Sequence, residues 1–394
     1  MKRSLIGIAA ITAGVLVLTA CGSSSKTSSS NSASSTGTAV TFTGDPVVIG
    51  QEVCQTGYLA ASDGPLIDGA KIAVQLLNAS GGILHHKVEL DTKDTQCVAS
   101  NEIQLANTFI SQSHVNAILG GFQSAAISGV IPVVQSAKVP FIGGGTLPLQ
   151  SAWGITTFPQ NTYVPSLIMD YFGKQKSVKT LGNITGDTPF GQAVQTNVDT
   201  AAKAAGVTTK DVQIANAATS TTPVLQQMSS ADAIFTNTSG PINIIFSKDA
   251  TTLGLKKPLI FQDSNTTCQQ AGSNYSPVYC IVAQAAVYPA VSNPTIKDNE
   301  TKLWDIYKSN GGQATNFATV TAGADQVNLI AKAMTTANST DGQAVQTALA
   351  STSYVGAQAE YKFTPGNTFG ITANPYVITT AKSDALTVVY SPTS

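Results

Sequence analysis

The sequence has few charged side chains and no cluster of basic ones. Charged residues make up 11% of the 394 residues, and the formal net charge is −1. Proteins that bind nucleic acid usually carry a basic patch that neutralises phosphate groups. The composition therefore argues against nucleic acid as a partner.

The sequence also lacks the motifs of common catalytic and phosphate-binding sites. It contains no G-x-S-x-G elbow, no H-E-x-x-H pair and no phosphate loop ending in Gly-Lys-Ser/Thr. His85 and His86 lie at a predicted turn, where a solvated pair is expected and a metal site is the alternative, and His114 stands alone. We therefore expect no enzyme activity, no metal and no cofactor.

Apolar runs long enough to cross a membrane are missing as well. Lys2 and Arg3 precede the apolar residues 5–18, a run too short to span a bilayer and typical of a secretory signal, here predicted over residues 1–20. The run ends in Leu18-Thr19-Ala20-Cys21, which resembles a bacterial lipobox, a signal whose Cys is lipidated and becomes the first mature residue. An ordinary signal peptide with a chance Cys is the alternative.

Residues 21–43, which begin at the candidate lipidation site Cys21, are predicted to form a flexible tether. The tract is mainly Ser, Thr, Gly and Asn, so it has almost no apolar surface to bury. A lipid with more than one acyl chain anchors a protein stably. We therefore expect an exported protein held at the outer face of the cell membrane by an N-terminal lipid.

Short apolar runs alternate with longer amphipathic runs from residue 47 onward, which is typical of parallel βαβ units. The first series predicts strands at 47–49, 88–90, 117–121 and 139–142, with helices at 69–78, 99–111 and 129–137. The second series predicts strands at 181–184, 233–235, 259–261 and 281–283, with helices at 191–205 and 321–337.

The body of the protein, from about Val40 to Ser394, is longer than one compact lobe usually is. The sequence therefore predicts an α/β fold of two Rossmann-like lobes with a ligand cleft between them. We expect residues 44–160 and 290–348 in the N-terminal lobe, and residues 161–289 and 349–394 in the C-terminal lobe.

Several motifs follow one another in the first half of this body. They are Ile49-Gly50, Thr56-Gly57, Asp68 to Val74, Asn78-Ala79-Ser80-Gly81-Gly82-Ile83, Asp94, Gly120 to Ser124, Val139 to Ile142, and Asp187 to Gly191. This ordered set resembles the type I periplasmic binding proteins, and more closely their leucine/isoleucine/valine-binding branch, which feeds ABC importers. The later part of the chain is similar in layout more than in motif.

The resemblance implies a binding function. Two lobes would close on a small polar solute, such as a branched-chain or other amino acid, and deliver it to an ABC permease in the membrane. A small amide or carboxylic acid is the alternative ligand. The same fold also serves ligand-sensing receptor domains, so a sensing role is the alternative function.

The resemblance also points to ligand-binding residues in the first lobe, at loops that follow strands. Ligands in this fold lie at the carboxyl ends of parallel strands, where helix N-termini suit a ligand carboxylate. The loops here contain Phe122, Gln123, Ser124, Gly145 and Thr146. The family uses the positions of the last Ser and Thr for the carboxylate, and simple helix capping is the alternative for both.

An aromatic wall is often found in the first loop of the family. Tyr58 lies there, and a surface aromatic without a ligand contact is the alternative.

Further candidates lie at the crossing into the second lobe and in that lobe's loops. Asn161 stands where the amino-acid-binding members usually place an Asp for the ligand ammonium, and Tyr163 follows it. Phe190 stands where those members carry a Tyr before the Gly of the second-lobe loop, so the ligand would lose a hydroxyl contact. Asp263, next to Ser264, is then the obvious carboxylate left for an ammonium. A site with one carboxylate favours a less charged ligand.

Four cysteines remain beside Cys21, an even number in an oxidising location. Cys54 and Cys97 follow neighbouring predicted strands at the same edge, while Cys268 and Cys280 flank one short excursion. We therefore favour the pairs Cys54–Cys97 and Cys268–Cys280 among the three possible pairings. A four-thiolate zinc site is the alternative, although the sequence contains no C-x-x-C pair.

Overall fold

A computed structural model describes residues 40–145, 151–160, 162–215, 217–238, 240–287, 293–314, 317–382 and 385–392, without the side chain of Ala125. Three residues singled out from the sequence, Cys21, Thr146 and Asn161, lie outside the described residues.

The described strands are β1 (Val47–Val53), β2 (Val88–Asp94), β3 (Ala117–Gly120), β4 (Phe141–Gly143), β5 (Gly154–Thr156), β6 (Thr180–Gly186), β7 (Thr208–Ile214), β8 (Ala233–Asn237), β9 (Leu259–Gln262), β10 (Val278–Ala283), β11 (Ser353–Val355), β12 (Glu360–Lys362), β13 (Tyr376–Lys382) and β14 (Ala385–Tyr390). They form a five-stranded sheet, a seven-stranded sheet and a small hairpin of β11 and β12.

The described helices are α1 (Ala60–Ala79), α2 (Ala99–Thr108), α3 (Ser124–Ala137), α4 (Tyr163–Ile168), α5 (Pro189–Ala205), α6 (Thr222–Gln227), α7 (Pro241–Thr252), α8 (Asn265–Asn274), α9 (Pro294–Ser309), α10 (Phe317–Ala337) and α11 (Gly342–Leu349). Wider helical turns, Phe109–Ser113 and Met169–Gln175, extend α2 and α4. Among the described helices, none is both long and apolar enough to cross a membrane.

The first sheet has the order β2-β1-β3-β4-β5, and its neighbouring strands are all parallel. One face packs on α1, α10 and α11 through side chains such as Ile49, Leu119 and Ile330. The other face packs on α2 and α3 through side chains such as Phe109 and Ile127. Full burial of such a side chain contributes about 2 kcal/mol. Helices on both faces of a parallel sheet make this the first of the two expected lobes.

The second sheet has the order β14-β13-β10-β9-β8-β6-β7. Strands β6 to β10 pair in parallel, while β13 and β14 add an antiparallel edge. Its faces are covered by α6, α7 and α8 on one side and by α4 and α5 on the other. The second lobe is therefore also doubly wound, with the mixed edge that large α/β sheets often carry.

Some residues after α11, beyond the expected lobe boundary at residue 348, contribute side chains to the core of the first sheet. Ala357, Tyr361, Phe363 and Ile371 are buried in the core of the first sheet, and the chain joins the second sheet only at β13. These apolar side chains share one core with residues of α10, such as Val327 and Ile330.

Two glycines let α1 and α10 touch through their backbones. A Cβ at Gly69 would lie 1.9 Å from the carbonyl oxygen of Val320, and a Cβ at Gly323 would lie 2.1 Å from that of Leu66. Only glycine permits so close an approach. This contact places α1, and with it Asp63, beside the loops described below.

The structure joins Cys54 to Cys97 and Cys268 to Cys280, with Cα–Cα distances of 5.0 and 6.1 Å. These are the pairs favoured from the sequence. They leave no thiolates for the alternative zinc site.

Candidate functional site

The loops after β3 and β4 meet at the carboxyl edge of the first sheet. The N–H of Gly144 donates to the carbonyl oxygen of Gly121 at 3.0 Å. A Cβ at Gly145 would lie 2.9 Å from Oγ of Ser124, so the backbone reaches this point because it carries no side chain. The structure thus brings Gly145 and Ser124 together, two of the residues singled out from the sequence.

Helix α3 begins at this junction. Ser124 is its first residue, and Gln123 occupies the preceding cap position without a capping bond from its side chain. Ser124 therefore follows the cap position of α3 and does not occupy it. The first N–H groups of a helix lack partners within the helix and carry a partial positive charge. This helix start suits a ligand carboxylate.

Asp63 on α1 fastens two of these loops to each other. It is 1% exposed, and it accepts the backbone N–H of Cys54 at 2.8 Å and that of Phe122 at 3.0 Å. Burial raises the pKa of Asp63 to about 6, although both N–H bonds act to lower it. A Cβ at Gly121 would lie 2.2 Å from Oδ2 of Asp63, so this bond pair requires glycine there.

Gln123, Phe122 and Tyr58 form the rim of the same edge. Nε2 of Gln123 donates to the carbonyl oxygen of Cys97 at 3.1 Å. Burial raises the pKa of Tyr58, and a side-chain hydrogen bond with Gln123 opposes that rise. Tyr58 is 62% exposed, while the ring of Phe122 packs edge-to-face on Phe158 with centroids 4.2 Å apart.

The second lobe has a carboxylate at the corresponding edge of its own sheet. Asp263 follows β9, and its Oδ2 accepts the N–H of Gly240 at 2.8 Å and Nδ2 of Asn243 at 2.7 Å. Its Oδ1 accepts the N–H of Ser264 at 2.6 Å. Burial raises the pKa of Asp263 to about 6 against these bonds, which lower it. The expected ammonium partner is therefore already held by three donors.

The other candidates of the second lobe have structural contacts. Ser264 caps α8, because its Oγ accepts the N–H of Thr267 at 3.3 Å. The hydroxyl of Tyr163 donates to the carbonyl oxygen of Ile371 at 3.3 Å, between two segments that connect the lobes. Phe190, in the first turn of α5, is half-buried against the core of the second sheet.

In both lobes, candidate residues lie at the start of a helix, and these two helices contact each other. Helix α3 starts at Ser124, α5 starts beside Phe190, and these helices contact each other.

Three residues of this site were missed from the sequence. Asp63 was not predicted because Gly64 and Pro65 are poor helix formers, so α1 was expected to begin only at residue 69. Asn243 lies on α7, a helix that was not predicted. Gln326 on α10 donates to the carbonyl oxygen of Gly120 at 3.1 Å across the whole lobe, a contact without any local signal.

Among the described residues, no group of three or more His, Cys, Asp and Glu side chains is arranged to hold a metal ion. His86 instead lies 2.7 Å from the carbonyl oxygen of Asp45 through Nδ1. A surface cavity of about 260 Å³ lies between α1 and the end of α9, and none of the candidate residues lines it.

Comparison with proteins of known structure shows the same fold. Leucine binding protein LivK from Thermotoga maritima is 18% identical, with a TM-score of 0.77 over 87% of this chain and 98% of that one. LivJ from Streptococcus pneumoniae, a branched-chain amino acid transporter substrate binding protein solved with isoleucine, is 20% identical, with a TM-score of 0.73 over 87% and 99%.

An ABC transporter substrate-binding protein from Desulfitobacterium hafniense, solved in complex with Leu, is 16% identical, with a TM-score of 0.72 over 88% of this chain and 100% of that one. A comparison with curated proteins returns no significant match. The family model described as "Periplasmic binding protein" matches residues 46–385. The chain therefore belongs to the periplasmic binding protein family, a family of binding proteins that are not enzymes.

Proposed function

We propose that this protein is the substrate-binding lipoprotein of an ABC importer. Its two lobes capture a branched-chain or other amino acid and present it to a permease. The observation that carries the proposal is the junction of Gly145 with Ser124 at the start of α3, which offers backbone N–H groups and a hydroxyl to a carboxylate. Similar structures that hold isoleucine and leucine support the same ligand class.

The ammonium of the ligand is assigned to the second lobe. Asp263 keeps lone pairs beyond its three donors, since a carboxylate can accept about four hydrogen bonds. Thr146, Asn161, Tyr163, Phe190 and Ser264 complete the proposed contacts, with Tyr58 and Phe122 as the aromatic rim of the first lobe.

Calorimetry of the full chain in detergent tests the ligand class. The panel contains L-leucine, L-isoleucine, L-valine, their amides, and carboxylic acids of the same size. The proposal expects the amino acids to bind more tightly than either set of analogues. Binding of the amides or acids alone would contradict the amino-acid assignment and favour the alternative ligands.

A pair of serines on α3 tests the site. Ser124→Ala should weaken amino-acid binding about tenfold, because one hydrogen bond to a charged group is lost. Ser128→Ala is the matched control, since Ser128 is exposed one turn further along the same helix. Equal effects of the two changes would exclude the start of α3 from the binding site.

The lipid anchor is tested separately. We propose that Cys21 is lipidated and that residues 21–43 tether the body to the outer face of the membrane. Labelled fatty acid should be incorporated into the wild type and not into Cys21→Ser, which should be released from the membrane fraction. Labelling of the Cys21→Ser variant would contradict the anchor.

An uptake assay separates transport from sensing. Deletion of the gene should abolish uptake of the bound amino acid if the protein serves an importer. Unchanged uptake with a lost transcriptional response would favour the sensing role.

A further inference from the structure

A group of acidic side chains lies behind the loops of the candidate site. Glu52 on β1 is 0% exposed, Glu102 in the first turn of α2 is 2% exposed, and Asp63 on α1 is 1% exposed. Burial and then repulsion by Glu102 raise the pKa of Glu52, while burial and then repulsion by Asp63 raise that of Glu102 to about 8. We call these three residues the carboxyl cluster.

Three carboxyl oxygens of the carboxyl cluster lack hydrogen-bond donors among the described residues. Both carboxyl oxygens of Glu52 and Oε2 of Glu102 are buried without a partner among the described residues, as is Oε1 of nearby Gln123. Asp63 differs, because two backbone N–H groups donate to it. A buried carboxylate with neither donor nor cation is strongly unfavourable, whereas a protonated carboxyl supplies the missing donor itself.

The neighbouring charged groups do not compensate Glu52 and Glu102. Lys93 is paired with Glu52 in the parallel register of β2 and β1, but its Nζ binds Asp91 at 3.0 Å and lies 5.3 Å from the ring centre of Phe109. Tyr58, whose pKa burial raises, is a neutral phenol near neutral pH. No ion pair of the described residues involves either glutamate.

The carboxyl cluster is connected to the ligand loops by backbone bonds. The carbonyl oxygen of Glu52 accepts the N–H of Gly121 at 3.0 Å, and Asp63 holds the N–H groups of Cys54 and Phe122. Repulsion within the carboxyl cluster would therefore act on the loops after β1 and β3.

We propose that Glu52 and Glu102, which are buried without a cation beside them, are positioning residues of the candidate site. Both stay uncharged at neutral pH, and the absence of charge on them keeps the loops after β1 and β3 in their binding geometry. Only the link to ligand affinity rests on the proposed function. When Glu102 ionises, above about pH 8, repulsion within the carboxyl cluster separates the loops from it, and the ligand is released.

Infrared difference spectroscopy tests the protonation without any ligand. At pH 7 the full chain should show a carboxylic-acid C=O band that decreases in Glu52→Gln and again in Glu102→Gln. Glu360→Gln is the matched control, because Glu360 is exposed. An unchanged acid band in both variants overturns the proposal. A Glu52 acid band that is absent from the wild type and appears in Lys93→Gln would show an ion pair between these two residues and overturn the proposal.

Hydrogen exchange tests the positioning. After correction for intrinsic rates, peptides containing Cys54 and Phe122 should exchange at least about tenfold faster at pH 9 than at pH 7, which corresponds to one pKa unit of lost protection. The Glu52→Gln/Glu102→Gln variant keeps neutral side chains and should not show this acceleration. Acceleration in that variant like that of the wild type overturns the proposal.

Binding of L-isoleucine supplies the last measurement. Its affinity should fall from pH 7 to pH 9 in the wild type and in Glu360→Gln, and fall much less in the double Gln variant. Failure of L-isoleucine to bind the wild type at pH 7 counts against the proposed ligand only, because spectroscopy and exchange decide the protonation independently.

Discussion

In each lobe an aspartate joins two loops at the candidate ligand edge, but the polar side chains around the two aspartates differ. Asp63 joins two loops of the first lobe, and Asp263 joins two loops of the second. Around Asp263 the polar groups are paired, because Asn243 donates to Asp263 and to Thr238 O and accepts the hydroxyls of Thr236 and Thr238. Around Asp63 lie two glutamates without donors. Amide and hydroxyl partners do not change their charge near neutral pH, so between pH 7 and pH 9 the network around Asp263 should respond to pH less than the one around Asp63.

The largest expected difference between the lobes is in their response to pH. Burial raises the pKa of Glu102 and of Glu300 to about 8 and that of Asp325 to about 7, and all three belong to the first lobe. A carboxyl that keeps its proton when folded and releases it when unfolded stabilises the fold below the unfolded pKa. This stability is lost as the pH rises through the folded pKa.

Between pH 6 and pH 8 the free energy of unfolding should therefore fall by about 4 kcal/mol for Glu102 and Glu300 together. Urea unfolding followed by tryptophan fluorescence reports this loss, since Trp153 and Trp304 both lie in the first lobe. Asp263, with its pKa of about 6, has lost its contribution below this range. A stability that stays constant or rises over this range would refute the difference between the lobes.

The next effect is removal of the joining carboxylates. Asp263→Ala should lower the free energy of unfolding by about 3 kcal/mol, because it leaves buried donors of Gly240 and Asn243 unpaired. Asp63→Ala should cost less at pH 9 than at pH 7, since at pH 9 it also relieves the repulsion on ionised Glu102. Circular dichroism with urea measures both, and Asp68→Ala, at an exposed position of α1, is the control. An equal loss for Asp63→Ala at pH 7 and pH 9 would mean that repulsion in the carboxyl cluster is negligible.

Two glycines, Gly191 in the first turn of α5 and Gly121 in the loop after β3, sharpen the comparison further. A Cβ at Gly191 would lie 1.9 Å from a backbone oxygen of Gly186, whereas a Cβ at Gly121 would meet the side chain of Asp63. Gly191→Ala should therefore cost about 2 kcal/mol by overpacking, and Gly121→Ala less, because a side chain moves more easily than a backbone. Thermal melting compares them with Gly64→Ala, where no atom lies within 4 Å. Equal melting points for all three would contradict these contacts.

The smallest expected effect compares the two serines that begin the ligand-edge helices. Ser264→Ala should cost about 1 kcal/mol, because its hydroxyl caps α8. Ser124→Ala should cost less stability, since Ser124 follows the cap position of α3, and should weaken ligand binding more. Melting and calorimetry on the same samples measure both quantities. The reverse order of stabilities would assign the capping role to Ser124.

The local pattern of apolar and polar residues predicted the order of strands and helices well, but their first and last residues less well. The apolar cores of β1, β6 and β8 were found, and the structure extends each of them. Strand β7 was missed because its sequence is polar and six of its seven positions are exposed or half-buried, as is usual at the edge of a sheet. The start of α1 was missed because Gly64 and Pro65 are poor helix formers.

The sequence by itself determined the class of fold and the places where loops follow strands. Both depend on local periodicity and on glycine-rich turns, which neighbouring residues specify. The sequence placed Gly121 to Ser124 and Asp263 after strands in this way, and the structure confirms that placement, as it does the cysteine pairs.

Only the tertiary structure decided which polar groups meet inside each lobe. Asp63 and Phe122 are 59 residues apart, and Gln326 and Gly120 are 206 apart. No local pattern encodes such contacts, because they arise when α1 and α10 pack on the first sheet. The same packing removes water from Glu52 and Glu102 without supplying donors, and so determines that the two lobes differ in their dependence on protons.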